Sequence, residues 1–270
     1  MLEWRVFGCG SPSSFRSTQT SYEIVDGSQR IQIDLGHGAI YQRCRLEKGI
    51  EPAVDSISNL LLTHCHPDHC VDLTRLYVAW MYTPGFKPQN KVKLFGSAPT
   101  MDAIQRMMDN MRLEEGYEKA YEPRLIKIGE PFRLDGFAIQ PKPAIHIDGS
   151  CGYRFDTPSG KRAAYTGDTG FHEALFKIWK DLDLLVIETS FSELETPYHL
   201  TLDQTAIVAG KTKPGALLIV HFYPDMERLP EEEIKARIAK YYGGPVFIAK
   251  DGLALKWDES IQAWRGEMMF

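Results

Sequence analysis

Residues 63–70 read THCHPDHC, so His64, His66, Asp68 and His69 stand within six positions of a chain that has eight histidines in all. Imidazole and carboxylate are the donors that divalent zinc takes, and a tight turn after a strand can aim several of them at one point. A solvated polar turn accounts for a lone histidine better than for such a cluster. The run SISNLLL (56–62) just before it is almost continuously apolar, as expected of a strand buried on both faces. The cluster therefore belongs at a strand's carboxyl end. Pro67 suits the start of a helix, and VDLTRLYVAWMY carries apolar residues at helical spacing.

The remaining segments surround this unit. WRVFGCG, TSYEIV and RIQIDLG, separated by SPSSFRSTQ and DGSQ, predict a meander of strands. Strands are then expected at KVKLFG, FAIQPKPAIHI, CGYRF, KRAAYTGD, DLLVIETS, ALLIVHF, PVFIA and LALKW, with helices at APTMDAIQRMMDNM, FHEALFKIWK, LTLDQTAIVAGKT and PEEEIKARIAKYY. Strands in succession, then strands alternating with helices, predict two sheets covered by outer helices. At 270 residues, with no repeat or linker, one domain over 1–270 is expected.

Composition bounds the function. With 43% hydrophobic and 25% charged residues the chain is an ordinary globular one, and a net charge of −5 gives no general footprint for nucleic acid. The opening MLEWRVFGCG lacks a basic segment followed by an apolar core, and no apolar run suits a spanning helix, so a cytoplasmic protein without membrane contact is expected. Five cysteines without a paired spacing fit free thiols in a reducing compartment. Cys65 and Cys70 flank the histidines but read as packing, because nearby nitrogen and oxygen donors already suffice for zinc.

Further donors fall at predicted strand ends: His146 after QPKPAI, Asp168 after AAYTG, and His221 after ALLIV. Residues at one edge of adjacent strands converge. His64, His66 and His146 can hold one ion, Asp68, His69 and His221 a second, and Asp168 can bridge them. Two ions at such a spacing activate water and clamp a displacement at phosphorus or a carbonyl.

This order of motifs, from THCHPDHC through His146 and TGDT (166–169) to His221 in IVHFYP, resembles the metallo-β-lactamase superfamily over nearly the whole chain. The resemblance implies a four-layer αββα sandwich, a dinuclear site of two Zn2+ with Mn2+ or Fe2+ as the alternatives, and hydrolysis through a metal-bridging hydroxide that Asp68 orients. IDLGHGAIYQR (33–43), IETSF (187–191) and HLT (199–201) resemble the ribonuclease Z branch. That branch implies His199 as the acid acting on the leaving oxygen and Glu188 as its partner; an exposed residue preceding a helix capped by Thr201 is the structural alternative for His199.

Ribonuclease Z carries a long arm for transfer RNA between the third histidine motif and the bridging aspartate. Here CGYRFDTPSGKRAAYTG and a few neighbours fill that interval. The resemblance is thus to a branch member without the arm, and the expected substrate is a small or cyclic phosphodiester. The alternatives are a lactone, thioester or sulfate ester, a ribonuclease Z-type transfer RNA 3′-processing endonuclease, and a non-catalytic metal-binding module, whose mark would be missing ligands. A long nucleic acid is not expected as a partner.

His37 in LGHGA is read as shaping a turn near the site, and His172 as a surface or cap residue. Arg16 and Tyr223 are candidates for substrate contact but are read first as structural. The methionines of MDAIQRMMDNM read as core or a homodimer face, and their helix with WMYTPGFKP as a lid or subunit contact.

Overall fold

The computed structural model describes residues 1–112 and 116–270. The chain opens with β1 (Leu2–Gly8), β2 (Ser21–Asp26) and β3 (Gln29–Ile33), the expected antiparallel meander. It then adds β4 (Asn59–Leu61), β5 (Val92–Ser97) and β6 (Tyr121–Ile126) in parallel through helical crossovers. A second antiparallel run, β7 (Phe132–Leu134), β8 (Phe137–Pro143), β9 (Cys151–Asp156) and β10 (Arg162–Tyr165), also continues in parallel, into β11 (Leu184–Glu188), β12 (Leu217–Val220) and β13 (Val246–Ile248). Strands β14 (Leu253–Asp258) and β15 (Ala263–Met268) return to the first sheet beside β1. The result is an eight-stranded sheet facing a seven-stranded one.

Strand β4 shows how the layers are built. Leu61 enters the core between the sheets with Trp4, Tyr22, Ile33, Tyr153, Phe155 and Val186, all buried. Its neighbours Leu60 and Leu62 face the other way, into a second core with Leu73, Leu76, Tyr77, Met101, Ile104 and Met108 from helices Asp72–Tyr82 and Ala98–Asn110. A strand buried on both faces must be apolar throughout. Helices Leu202–Thr212 and Glu231–Ala239 flank the second sheet, completing the αββα sandwich. Met101 and Met108 thus serve the core. Among the described residues no helix is long and apolar enough to cross a membrane.

Several boundaries differ from the sequence expectation. The strand expected over 56–62 spans Asn59–Leu61, because helix Ile50–Asp55 runs into it and the Ser56 hydroxyl donates to the Ala53 carbonyl. The strand expected over 137–147 stops at Pro143, where the Ala144 N–H turns to the Ser150 carbonyl, so His146 stands on a loop. FHEALFKIWK yields only the helical turn Leu175–Ile178. Strand β6 was missed: it carries Pro123 and exposes its middle residues, as an edge strand does.

The two sheets are tied together beside the segment that follows β4. The Tyr153 hydroxyl on β9 donates to the Leu62 carbonyl at 2.7 Å, and the Cys151 N–H donates to the Thr63 carbonyl at 3.0 Å. Tyr153 is fully buried, so removing its hydroxyl leaves a buried acceptor short of a partner. Tyr153→Phe is expected to lower unfolding stability by about 1–3 kcal/mol, read from urea denaturation.

Candidate metal centre

The turn at 63–70 follows from local chemistry. His66 is extended, as the residue before a proline prefers, and Pro67 opens a four-residue helix, Pro67–Cys70, that places Asp68 and His69 in one turn. Gly36 lies against this turn, where a Cβ would come within 2.0 Å of the Asp68 carbonyl oxygen, so only glycine fits.

The structure brings His64, His66, Asp68, His69, His146, Asp168 and His221 together in two adjoining groups. In the first, His66 Nδ1 lies 3.1 Å from His64 Nε2 and 2.9 Å from His146 Nε2. In the second, Asp68 Oδ2 lies 3.4 Å from His69 Nε2 and 3.2 Å from His221 Nε2. Asp168 Oδ2 stands between them, 3.3 Å from His69 and His221 and 3.8 and 3.9 Å from His64 and His146. Tetrahedral zinc with bonds of about 2.0–2.1 Å sets its ligand atoms about 3.3 Å apart, so these spacings suit the ion.

Electrostatics point the same way. Burial alone would raise the Asp68 and Asp168 carboxyls, yet the facing imidazoles of His69 and His221 hold both well below the usual carboxylate range. The His69 imidazole is correspondingly raised: burial opposes its charge, and Asp168, Asp68 and Asp34 outweigh burial. The cluster thus demands positive charge at its centre. His69 Nε2 and Asp168 Oδ1 are buried there without a hydrogen-bond partner. Orphaned donors of this kind, in a set of imidazoles and carboxylates, fit a divalent cation.

The outward nitrogens are held as metal-binding histidines usually are. His69 Nδ1 donates to Asp34 Oδ2 at 2.8 Å, His146 Nδ1 to the Tyr198 carbonyl at 3.2 Å, and His64 Nδ1 lies 3.1 Å from Thr63 Oγ1. His221 Nδ1 lies 2.9 Å from Ser190 Oγ. Sequence reasoning missed Asp34 and Ser190. Asp34 ends RIQID at the same sheet edge as the cluster and accepts from the Thr63 N–H and hydroxyl; its place one residue past β3 was the available signal.

His199 and Glu188 also meet here. His199 Nδ1 lies 3.2 Å from Glu188 Oε1 and 4.0 Å from Asp168 Oδ2. Burial works against a charged imidazole, but the Glu188 carboxylate outweighs it and lifts His199 to about 9. Glu188 is fully buried and also accepts the Thr169 N–H at 2.9 Å, next to Asp168. His199 is not the exposed residue of the structural alternative, although Thr201 does cap the helix as expected, in a capping box with Gln204.

His66 and His199 separate two lobes. One, about 250 Å³, is bounded by Pro12, Asp68, Asp168, His221 and Tyr223; the other, about 370 Å³, by His146, Ile147, Phe191, Thr196 and Tyr198. Tyr223 therefore borders the cluster, whereas Arg16 is turned to the Glu227 carbonyl and lines a separate cavity. His37 is exposed, and neither it nor His172, Cys65 or Cys70 joins a ligand group among the described residues.

The family profile of the beta-lactamase superfamily domain matches residues 29–222. An uncharacterized protein of Mycobacterium tuberculosis is 29% identical over 247 residues, covering 89% of this chain and 87% of its own. Ribonuclease Z of Mycobacterium avium is 25% identical, covering 93% of this chain and 96% of its own. The crystal structure of YhfI from Bacillus subtilis, a metallo-β-lactamase fold protein, superposes with a TM-score of 0.78 at 18% identity, covering 94% of this chain and 98% of that one.

Asp34 tests the outer layer of the centre. Outer partners of metal-binding histidines are typically worth 10–100-fold in affinity. Asp34→Ala is expected to weaken divalent-metal affinity by roughly 10–100-fold, measured by chelator competition on folded protein.

Proposed function

Because the chain belongs to the metallo-β-lactamase superfamily, within its ribonuclease Z-like branch, and is a metal-dependent hydrolase, we propose that it cleaves small or cyclic phosphodiesters with two zinc ions. His64, His66 and His146 would hold one ion and Asp68, His69 and His221 the other, with Asp168 placed to serve both. The observation that carries this reading is His199, an imidazole held by Glu188 in the wall common to both lobes.

When bound, the ion pair supplies an activated water and neutralises phosphoryl oxygens. Asp68 lines the smaller lobe with His221 and Tyr223, where its carboxylate would orient the attacking water. His199 keeps its Nδ1 proton on Glu188 and presents Nε2–H to the departing oxygen, which needs a proton if it leaves as an alkoxide. The lobe bounded by Ile147, Phe191 and Tyr198 lies on the far side of His199 and takes the leaving group.

The size of the substrate follows from the interval between His146 and Asp168. Strands β9 and β10 occupy it as a hairpin whose Ser159 N–H is fastened to Asp26 Oδ2 at 2.7 Å. No arm leaves this hairpin. A second reading, transfer RNA 3′-processing, is favoured by the likeness to ribonuclease Z over nearly that relative's full length. Purified, metal-replete protein assayed on bis-aryl phosphates, cyclic nucleotides, lactones, aryl sulfates and precursor transfer RNA separates the readings; efficient site-specific cleavage of the precursor would replace the first by the second.

Metal analysis after chelator-free purification and zinc addition is expected to give about two ions per chain, since the donors exceed what one four-coordinate zinc uses. A reproducible value of one or less would remove the dinuclear assignment. His199→Ala is expected to retain metal but lose about 10²- to 10⁴-fold in turnover of alkyl phosphodiesters, with a smaller deficit on nitrophenyl esters, whose leaving group needs little protonation. Loss of metal instead would make His199 a ligand.

A further inference from the structure

We propose that Ser190 is a positioning residue whose single hydroxyl sets both the metal-binding face of His221 and the orientation of the proton donor His199. The inference rests on the metal-centre reading for His221 and on the phosphodiesterase reading for His199.

Ser190 is fully buried at the start of the segment after β11, and its Oγ meets Glu188 Oε2 at 2.6 Å, His221 Nδ1 at 2.9 Å and His199 Nδ1 at 3.2 Å. A hydroxyl has one proton and two acceptor sites, whereas a carboxylate only accepts. The hydroxyl proton therefore goes to Glu188. Both imidazole nitrogens that face Ser190 must then carry their own protons, so Nδ1 of His221 is committed outward and Nε2 is the nitrogen left to give a lone pair to a cation. Nε2 faces Asp68 Oδ2 and Asp168 Oδ2 at 3.2 and 3.3 Å, the carboxylates that would share that cation.

The same hydroxyl fixes the acid. By holding Oε2 of Glu188, it leaves Oε1 for the Thr169 N–H and for His199 Nδ1. The His199 and His221 rings lie nearly parallel, 5.5 Å apart at 14°, with Ser190 touching the same nitrogen of each. A shift of His221 on losing its ion is thus felt by the acid through one oxygen atom. Backbone ties limit any drift of Ser190 itself: its N–H donates to the Leu200 carbonyl and its carbonyl accepts from the Tyr223 N–H, both at 3.1 Å.

The test compares Ser190→Ala and Ser190→Thr with the unaltered protein. Chelator competition with zinc is expected to show the weaker-binding ion lost about 10-fold more readily in Ser190→Ala, with Ser190→Thr, which keeps a hydroxyl, closer to the unaltered protein. Turnover of alkyl phosphodiesters should fall more than that of nitrophenyl esters at saturating zinc, and this difference should vanish in a His199→Ala background while the zinc effect persists. Zinc affinity unchanged in Ser190→Ala overturns the proposal, whatever the substrate proves to be. Weakened zinc binding with an equal loss on every leaving group overturns the link to His199. If no phosphodiester is cleaved by the unaltered protein, the phosphodiesterase reading and that link fail together, and the zinc comparison alone decides the His221 half.

Discussion

Asp34, Asp68, Asp168 and Glu188 are buried together at one edge of the sandwich, none more than 2% exposed. Isolated carboxylates cannot be buried at tolerable cost; they must be paired, hydrogen-bonded or bound to metal. Much of the surrounding structure answers that requirement. Asp34 is met by the Thr63 N–H and His69, Glu188 by Thr169, Ser190 and His199, and Asp68 and Asp168 by histidines from both sheets. These partners stand on segments of both sheets, after β4 in the first and after β10, β11 and β12 in the second, so the charge balance holds only while the two sheets keep their register. The Tyr153 and Cys151 bonds to the segment after β4 serve that alignment.

Convergence also costs backbone strain. Asp34 at φ 53° and His221 at φ 65° both adopt the left-handed region, sparsely populated by residues other than glycine. Each directly follows a strand, β3 in one sheet and β12 in the other. A side chain continuing the pleat would point up or down a sheet face; the left-handed turn redirects it to the edge, where the cluster lies. The neighbouring bonds sustain this geometry: Asp34 N–H donates to the Leu61 carbonyl at 2.9 Å and His221 N–H to the Cys9 carbonyl at 2.8 Å. Such strain, of order 1–3 kcal/mol per residue, persists where surrounding contacts over-determine the position.

The clustering of these histidines and carboxylates was legible in the sequence because donor type and strand-end position are local signals. THCHPDHC carries its own turn chemistry, and His221 and Asp168 follow short apolar runs that any buried parallel strand displays. The layers were legible for the same reason, as Leu60, Leu61 and Leu62 show. His146 falls in the cluster but on a loop and not in a strand, because the pairing of β8 with β9 ends at Pro143. Asp34 offered only its place one residue past β3 as a signal, and Ser190 only its place in IETSF. Their roles depend on which nitrogen of which histidine lies beside them, a relation between residues 31 to 35 positions apart that no local pattern encodes. Edge strand β6 escaped because exposure removes the apolar alternation on which strand recognition depends.

His69, His221 and His199 make similar polar contacts but are suited to different tasks. His69 donates its outer nitrogen to a carboxylate, His221 contacts a serine hydroxyl, and His199 contacts both a carboxylate and that same hydroxyl. Outer partner chemistry alone therefore does not tell these three apart. Among them, exposure differs. The side chains of His69 and His221 are fully enclosed, with Nε2 confined among Asp68 and Asp168, whereas 13% of the His199 side chain is open and its ring borders both lobes. An imidazole enclosed among carboxylates is suited to offer its inner nitrogen to a cation; one at the lobe wall, with Nδ1 engaged by Glu188, is suited to exchange a proton with whatever enters. The depth at which the fold sets each histidine is thus the feature on which the proposed division of roles rests.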